Sequence, residues 1–308
     1  MMNGLLIIDK PQGMSSHAVV GKVRRLFGLR KVGHAGTLDP LATGVLVVAL
    51  GQGTRILQFL LEENKTYRAT LKLGAVTDTQ DSEGMVLSEA EWSHLGEAEI
   101  AAACQAMVGT LEQVPPMYSA IKQGGVPLYK LARKGMEVER QPRLVTIFSL
   151  GLVSISPPDV TFEVHCSKGT YVRTLCHDIG TKLGCGAYLT ALRRLTSGAF
   201  NETEAVSLDT IEQTAPQERG RFLLSLGDAL RGYAAVFLRE EGVRKLRYGI
   251  PPTLDMVEKN VEIEEGTIVQ LLGPLGPMGM ARFAPSRGRE TRGDFELLRV
   301  FNDSDGGE

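Results

Sequence analysis

Three short segments carry side chains that could do chemistry together: Asp39 in VGHAGTLDPLATGVL, Tyr67 in KTYR and Arg173 in KGTYVRTL. A carboxylate acting as nucleophile or base must stay ionised in a cleft that excludes water, and burial alone raises its pKa and neutralises it. A fixed guanidinium answers that need, because its planar fork matches a carboxylate. A tyrosine beside such a pair can stack on a flat substrate and relay a proton. Each residue alone also has a plain structural reading. Asp39 would be a turn residue capping a helix, Tyr67 a strand aromatic in the core, and Arg173 a surface ion-pair partner.

On its own the loop around Asp39 reads first as a turn; the distant KTYR and KGTYVR segments turn the reading towards presentation, and local features suit it. Pro40 pushes the Asp39 backbone towards an extended conformation. Gly33, Gly36 and Gly44 permit positive φ and close approach of another chain. Arg173 follows Tyr171 by two residues on a segment that reads as extended, so both side chains would share one face. His34, in the same loop as Asp39, reads on its own as a hydrogen-bonded loop histidine.

Other chemistries are poorly supplied. VLVVALGQGTRI resembles a strand–GxG–helix dinucleotide site, but Ile56 stands where the third glycine belongs. The five histidines (His17, His34, His94, His165, His177) are scattered and none stands at metal-ligand spacing. Cys104, Cys166, Cys176 and Cys185 form no CxxC pair and read as small buried thiols, reduced in a cytosolic protein. There is no P-loop. No metal and no cofactor is expected.

The elements that must position these residues read as follows. Leu5–Asp9 is a strand, and Ser15 or Ser16 caps a helix over about 17–27, with Val19, Val20, Val23, Leu26 and Phe27 inward. VLVVAL is a strand buried on both faces, and GQGTRILQFLLEE turns into a helix. YRATLKLG alternates as a half-buried strand does, before the polar loop of TDTQDSEG. Residues 89–111 read as helical. One short helix lies in PLYKLARKG, strands follow over 143–155 and in VTFEVHCS, and GTYVRTLCHDIGTKLG is a turn and then a helix. Composition shifts near Arg231. Beyond it TIVQLLG, MGMARFA and FELLRVF suggest a small β-rich module, with the tail NDSDGGE disordered. This rhythm favours an α+β domain over residues 1–230, built on a mixed, mostly antiparallel sheet, and a second unit over 231–308.

The formal net charge of −2 hides a segregated distribution. Lys22, Arg24, Arg25, Arg30 and Lys31 precede the Asp39 loop without an acid among them. Residues 122–143 hold six basic and two acidic residues, and 165–194 five basic and one acidic. Such faces can hold phosphate although the chain as a whole is near neutral. No apolar run approaches the roughly 18 residues of a membrane helix, and the N-terminus does not read as a signal peptide.

Taken in order, HAGTLDPLATGVL, KTYRATLKLG, TDTQDSEG, PPMYSAIKQGGVPLYKLARKG, KGTYVRTLCHDIG and LRRLTSG resemble the TruB family of tRNA pseudouridine synthases, over roughly residues 3–207. The resemblance implies a pseudouridine synthase fold with a central cleft, an RNA-pinching insertion at about 124–143 and a PUA-like RNA-binding module at the C-terminus. It implies isomerisation of uridine 55 in the tRNA T-stem loop, by a cytoplasmic monomer that needs no cofactor. Asp39 falls on the family's catalytic aspartate, Tyr67 on its active-site tyrosine and Arg173 on the arginine that pairs with the aspartate. Leu192 would line the base pocket, and His34 would contact the substrate loop. Lys10 of the KPxG motif, Gly36, Thr37 and Tyr171 would also bind substrate. Two other readings use the same surfaces: an RNA chaperone that folds tRNA, and a synthase acting on another RNA, guide-dependent or ribosomal.

Overall fold

The computed structural model describes residues 2–259, 262–287 and 293–301. The tail expected to be disordered lies outside them. Strand β1 (Gly4–Lys10) leads to helix α1 (Ser16–Phe27), then β2 (Val32–Ala35), β3 (Thr43–Leu50) and α2 (Leu57–Leu61). Next come β4 (Lys65–Leu73), β5 (Ala75–Thr77), β6 (Val86–Glu89), α3 (Glu97–Gln105) and β7 (Gly109–Gln113). The insertion holds β8 (Lys122–Gln123), β9 (Val126–Pro127) and α4 (Leu128–Ala132). It is followed by β10 (Arg143–Ser156), β11 (Asp159–Cys166), α5 (Val172–Leu183), β12 (Ala187–Ser197), β13 (Phe200–Asn201), β14 (Val206–Ser207) and α6 (Leu208–Gln213).

The main sheet runs β14-β1-β3-β12-β4-β11-β10-β7, with β2 also on β3 and β13 on β12. Only β1·β14 and β3·β12 are parallel. The unbroken apolar runs of β1 and β3 have the cause expected of them. Leu6, Ile8, Leu46, Val48 and Leu50 enter the core under α1 and α5, while Leu5, Ile7, Val45, Val47 and Ala49 enter a second core on the opposite face. Burying each such side chain on both faces is worth roughly 1.5–3 kcal/mol. Helix α1 starts where expected: Ser15 Oγ accepts from Ala18 N–H at 3.1 Å, and Gly28 closes the helix at φ +63°.

Two expectations need correction. The helix expected over 89–111 is broken at both ends. Gly96 is the N-cap, its N–H donating to Glu99 Oε2 at 2.8 Å, and residues 109–113 instead pair with β10. The extended segment expected around Arg173 is the first turn of α5, with Tyr171 as its N-cap. Arg173 and Tyr171 therefore do not share a strand face.

After α7 (Leu226–Ala229) a second sheet, β15 (Ala234–Phe237), β16 (Ile268–Gly273), β17 (Gly276–Phe283) and β18 (Phe295–Val300), runs in that order, with α8 (Glu240–Arg247) beside it. It has a core of its own around Val236, Leu271 and Phe295. Met280 of β17 and Leu230 join the second core of the main sheet.

Candidate active site

The centre of the main sheet is where β3 and β12 meet through only two register pairs, Arg193↔Thr43 and Arg194↔Gly44. β12 also pairs with β4, placing Arg194 opposite Tyr67. The loop 36–42 enters β3 at this junction, and α5 begins after β11 on the other side of β4. Residues far apart in sequence therefore converge here.

The loop that carries Asp39 is pinned from beneath. Ser16, itself buried, donates to Leu38 O at 3.0 Å and accepts from Leu38 N–H at 2.8 Å. Lys10 Nζ donates to Pro11 O (2.9 Å), Pro40 O (3.3 Å) and Ala42 O (2.6 Å). Ala42 N–H closes a turn onto Asp39 O. Gly36 has φ +83°, a left-handed conformation that glycine adopts without strain.

Arg173, 4% exposed, reaches this loop from α5. Its Nε lies 3.0 Å from Asp39 Oδ2, an ion pair whose N–H is not aligned for a hydrogen bond. Nη1 donates to Thr79 O (2.9 Å) and Asp81 Oδ2 (3.2 Å), and Nη2 to Tyr118 O (2.8 Å). Withdrawal from water is the largest influence on Asp39 and pushes its pKa above the usual carboxylate value; Arg173 pulls it back, Asp81 pushes it up and Lys10 pulls it down. With 39% of its side chain open to solvent, Asp39 remains accessible at the end of this pair.

Tyr67 is buried in the core face of β4. Burial raises its phenol pKa and Arg194 opposes that, so the hydroxyl is neutral at pH 7. The charge of Asp39 is felt at Tyr67, Tyr171 and Lys10. Tyr171 is fixed by a twin hydrogen bond: its N–H donates to Gln113 Oε1 at 2.7 Å, and Gln113 Nε2 donates to its carbonyl at 3.1 Å. Leu192 lies on β12 in the same core as Tyr67. His34 stands on β2 with its buried Nδ1 unpartnered among the described residues; burial first, then Arg194 and His17, lower its pKa. Thr37 is exposed on the loop.

Lys10 is wholly buried and its ammonium is spent on three carbonyls, so it shapes the loop. The basic run at 165–194 needs correction. Arg173 and Arg194 are buried, Arg193 holds Asp9 and Glu202, and Lys168 pairs with Glu62, so four of the five cations form no free phosphate face and Lys182 alone is left exposed without an ion pair among the described residues. The insertion differs: Lys122, Lys130, Arg133, Lys134 and Arg143 are exposed.

Two residues of the site were not anticipated. Asp81, 3% exposed, accepts from Arg173 Nη1 while Asp39 meets Nε, and also accepts from Thr79 Oγ1 (2.5 Å) and Glu83 N–H (3.1 Å). Its sequence, an Asp/Thr/Gly-rich stretch, looks like any polar turn. Arg194 sits inward on β12, where register shifts after Leu189 and Arg194 interrupt the alternation that would have revealed it. Among the described residues no group of His, Cys, Asp or Glu could hold a metal ion. All four cysteines are free and buried.

Superposed on solved structures, the chain matches Cbf5 in a Cbf5–Nop10–Gar1 complex with TM-score 0.75 at 25% identity, covering 97% of this chain and 85% of that one. It matches an archaeal box H/ACA sRNP Nop10–Cbf5 complex with TM-score 0.74 at 25% identity, covering 99% and 88%. The fold is that of the pseudouridine synthases. In sequence, residues 24–172 match the N-terminal domain of TruB family pseudouridylate synthases, and residues 173–231 the tRNA pseudouridylate synthase B C-terminal domain. The tRNA pseudouridine synthase B of Syntrophotalea carbinolica is 64% identical over 98% of this chain and 99% of its own. That of Geobacter sulfurreducens is 47% identical over 98% and 100%. The chain belongs to the TruB family.

Proposed function

We propose that this protein isomerises uridine 55 in the T-stem loop of tRNA to pseudouridine, with Asp39, Arg173 and Tyr67 as its catalytic residues. The observation that carries the reading is the Asp39–Arg173 ion pair at 3.0 Å, on a loop held for presentation, in a chain 64% identical to a tRNA pseudouridine synthase B. Uracil leaves its ribose, turns and rejoins through C5, so no atom is gained or lost. The uridine must leave its stack, at a cost of a few kcal/mol, and Tyr67 offers a ring against which it can lie. Asp39 acts as nucleophile or equivalent base, Arg173 keeps it ionised and oriented, and Tyr67 helps remove the C5 proton after rotation. His34, Gly36, Thr37, Tyr171 and Leu192 line the substrate side.

The exposed cations of the insertion at 124–143 contact RNA phosphates and so set position without reading sequence. Residues 1–230 form the catalytic unit and 231–308 an RNA-binding unit, in a cytoplasmic monomer. The same cations would serve a tRNA-folding activity. Mapping pseudouridine in total RNA from a strain lacking the gene, with and without the wild-type copy, tests the assignment. Loss confined to tRNA position 55 is expected, and loss at a ribosomal or other RNA site instead would overturn it.

A further inference from the structure

Arg194 is the largest fully buried side chain among the described residues, 1% exposed. It stands opposite Gly44 of β3 and Tyr67 of β4. Its Nε donates to Val45 O at 2.6 Å and its Nη2 to Gly36 O at 3.1 Å. Tyr67 is its cross-strand partner on β4, and the phenol feels the guanidinium charge. Its neighbours are shaped to admit it. A Cβ on Gly36 would lie 3.3 Å from Nη1, and one on Gly44 would collide with the Arg194 carbonyl oxygen.

Among the described residues no carboxylate forms an ion pair with Arg194, whereas Arg173 holds two and Arg193 holds two. A buried charge without a counter-ion costs several kcal/mol. A neutral amide could donate to backbone carbonyls at a smaller cost, so holding Gly36 and Val45 does not account for a cation. Its charge acts on Tyr67, His34, Lys65 and Lys10, the groups that surround the Asp39 loop.

We propose that Arg194 is a positioning residue of the isomerisation: its guanidinium holds the Gly36 and Val45 carbonyls at the two ends of the loop that carries Asp39, and sets a positive charge beside Tyr67, on whose ring the uracil lies. The role rests on the reaction proposed above. When the C1′–N1 bond breaks, its electron pair stays on the uracil. A ring pair then forms the C1′–C5 bond, the C5 proton leaves as the ring double bond is restored, and N1, freed from the sugar, takes up a proton, so the atom count is unchanged. Between those steps the uracil is electron-rich, and a cation held beside Tyr67 favours that stage.

Arg194→Gln keeps donors for the carbonyls and removes the charge, whereas Arg194→Lys keeps the charge and loses the fork. Both are measured in full-length protein by thermal melting, tRNA dissociation constant and single-turnover pseudouridine formation at saturating tRNA. The expected result is folded variants that bind tRNA within about threefold of wild type, with R194Q slowed at least about 100-fold and R194K about tenfold or less. R194Q as fast as R194K, or a loss of affinity in place of rate, would overturn the proposal. Should R194Q not fold, R194K decides: a folded R194K below about a hundredth of the wild-type rate overturns it, and so does failure of both to fold, which makes Arg194 a stability residue. A wild-type protein that forms no pseudouridine would instead refute the proposed function.

Discussion

Arg173 and Asp81 form a buried pair, Nη1 to Oδ2 at 3.2 Å, with the two side chains only 5% and 4% exposed. The same guanidinium reaches the half-exposed Asp39 through Nε, so the buried aspartate anchors the arginine that pairs with the accessible one. Asp81→Ala would leave a buried cation with one of its partners gone. A loss of about 3–5 kcal/mol in stability is the expectation for breaking such a pair. Single-turnover rate should fall at least about tenfold while the tRNA dissociation constant holds, because Asp81 positions Arg173 without touching RNA. Chemical denaturation and single-turnover assays on the same preparation check both halves.

Arg173→Lys tests the fork itself. An ammonium cannot reach Asp39, Asp81 and two carbonyls from one planar group. Turnover should drop severely, and near-normal rates would make Arg173 structural.

Much of this architecture was legible in the sequence, and the exceptions have physical causes. Unbroken apolar runs in β1 and β3 announced strands buried on both faces, and Ser15 announced the start of α1. Asp39 in its loop reads as a turn residue, and only KTYR and KGTYVR, far away in sequence, give its carboxylate a purpose. The segment 89–111 misled because alanine-rich composition masked two glycine breaks, and its last residues gain more from pairing with β10 than from helix. Arg173 read as extended because nothing local marks the start of α5: Tyr171 makes no side-chain cap, and distant Gln113 holds its backbone instead. Asp81 became meaningful only when the fold brought a guanidinium to it.

Tyr67→Phe removes the hydroxyl and leaves the ring. Rate should fall far more than affinity, since the ring supplies the stacking surface and the hydroxyl the proton relay. A parallel loss in both, read from single-turnover rates against tRNA binding, would reduce Tyr67 to packing.

The pH profile should have two limbs. Asp39 must be ionised to act, and its pKa is pushed above the ordinary carboxylate value, chiefly by desolvation, so rate should fall on the acid side before a free carboxylate would titrate. Lys10 is lowered from 10.5 to about 8, chiefly by burial, and its ammonium holds Pro11, Pro40 and Ala42 carbonyls. Rate should therefore also fall as pH rises through about 8. Stability moves the other way there. From about 8 to 10.5 the unfolded chain keeps the Lys10 proton that the native state has shed, so this group's contribution to stability rises with pH. Lys65, also lowered to about 8, adds in the same sense. Lys10→Arg stays protonated and should move the alkaline limb upward, which a rate–pH profile of the variant shows directly.

The most direct measurement is tritium release from C5-labelled uridine in a tRNA transcript by Asp39→Asn beside wild type. The substitution removes a charge and almost no volume. The folded state disfavours that charge, so melting temperature should not fall, and tRNA should still bind. The account predicts release by wild type and none above background by the variant over many turnovers. Multiple-turnover release by Asp39→Asn would contradict it.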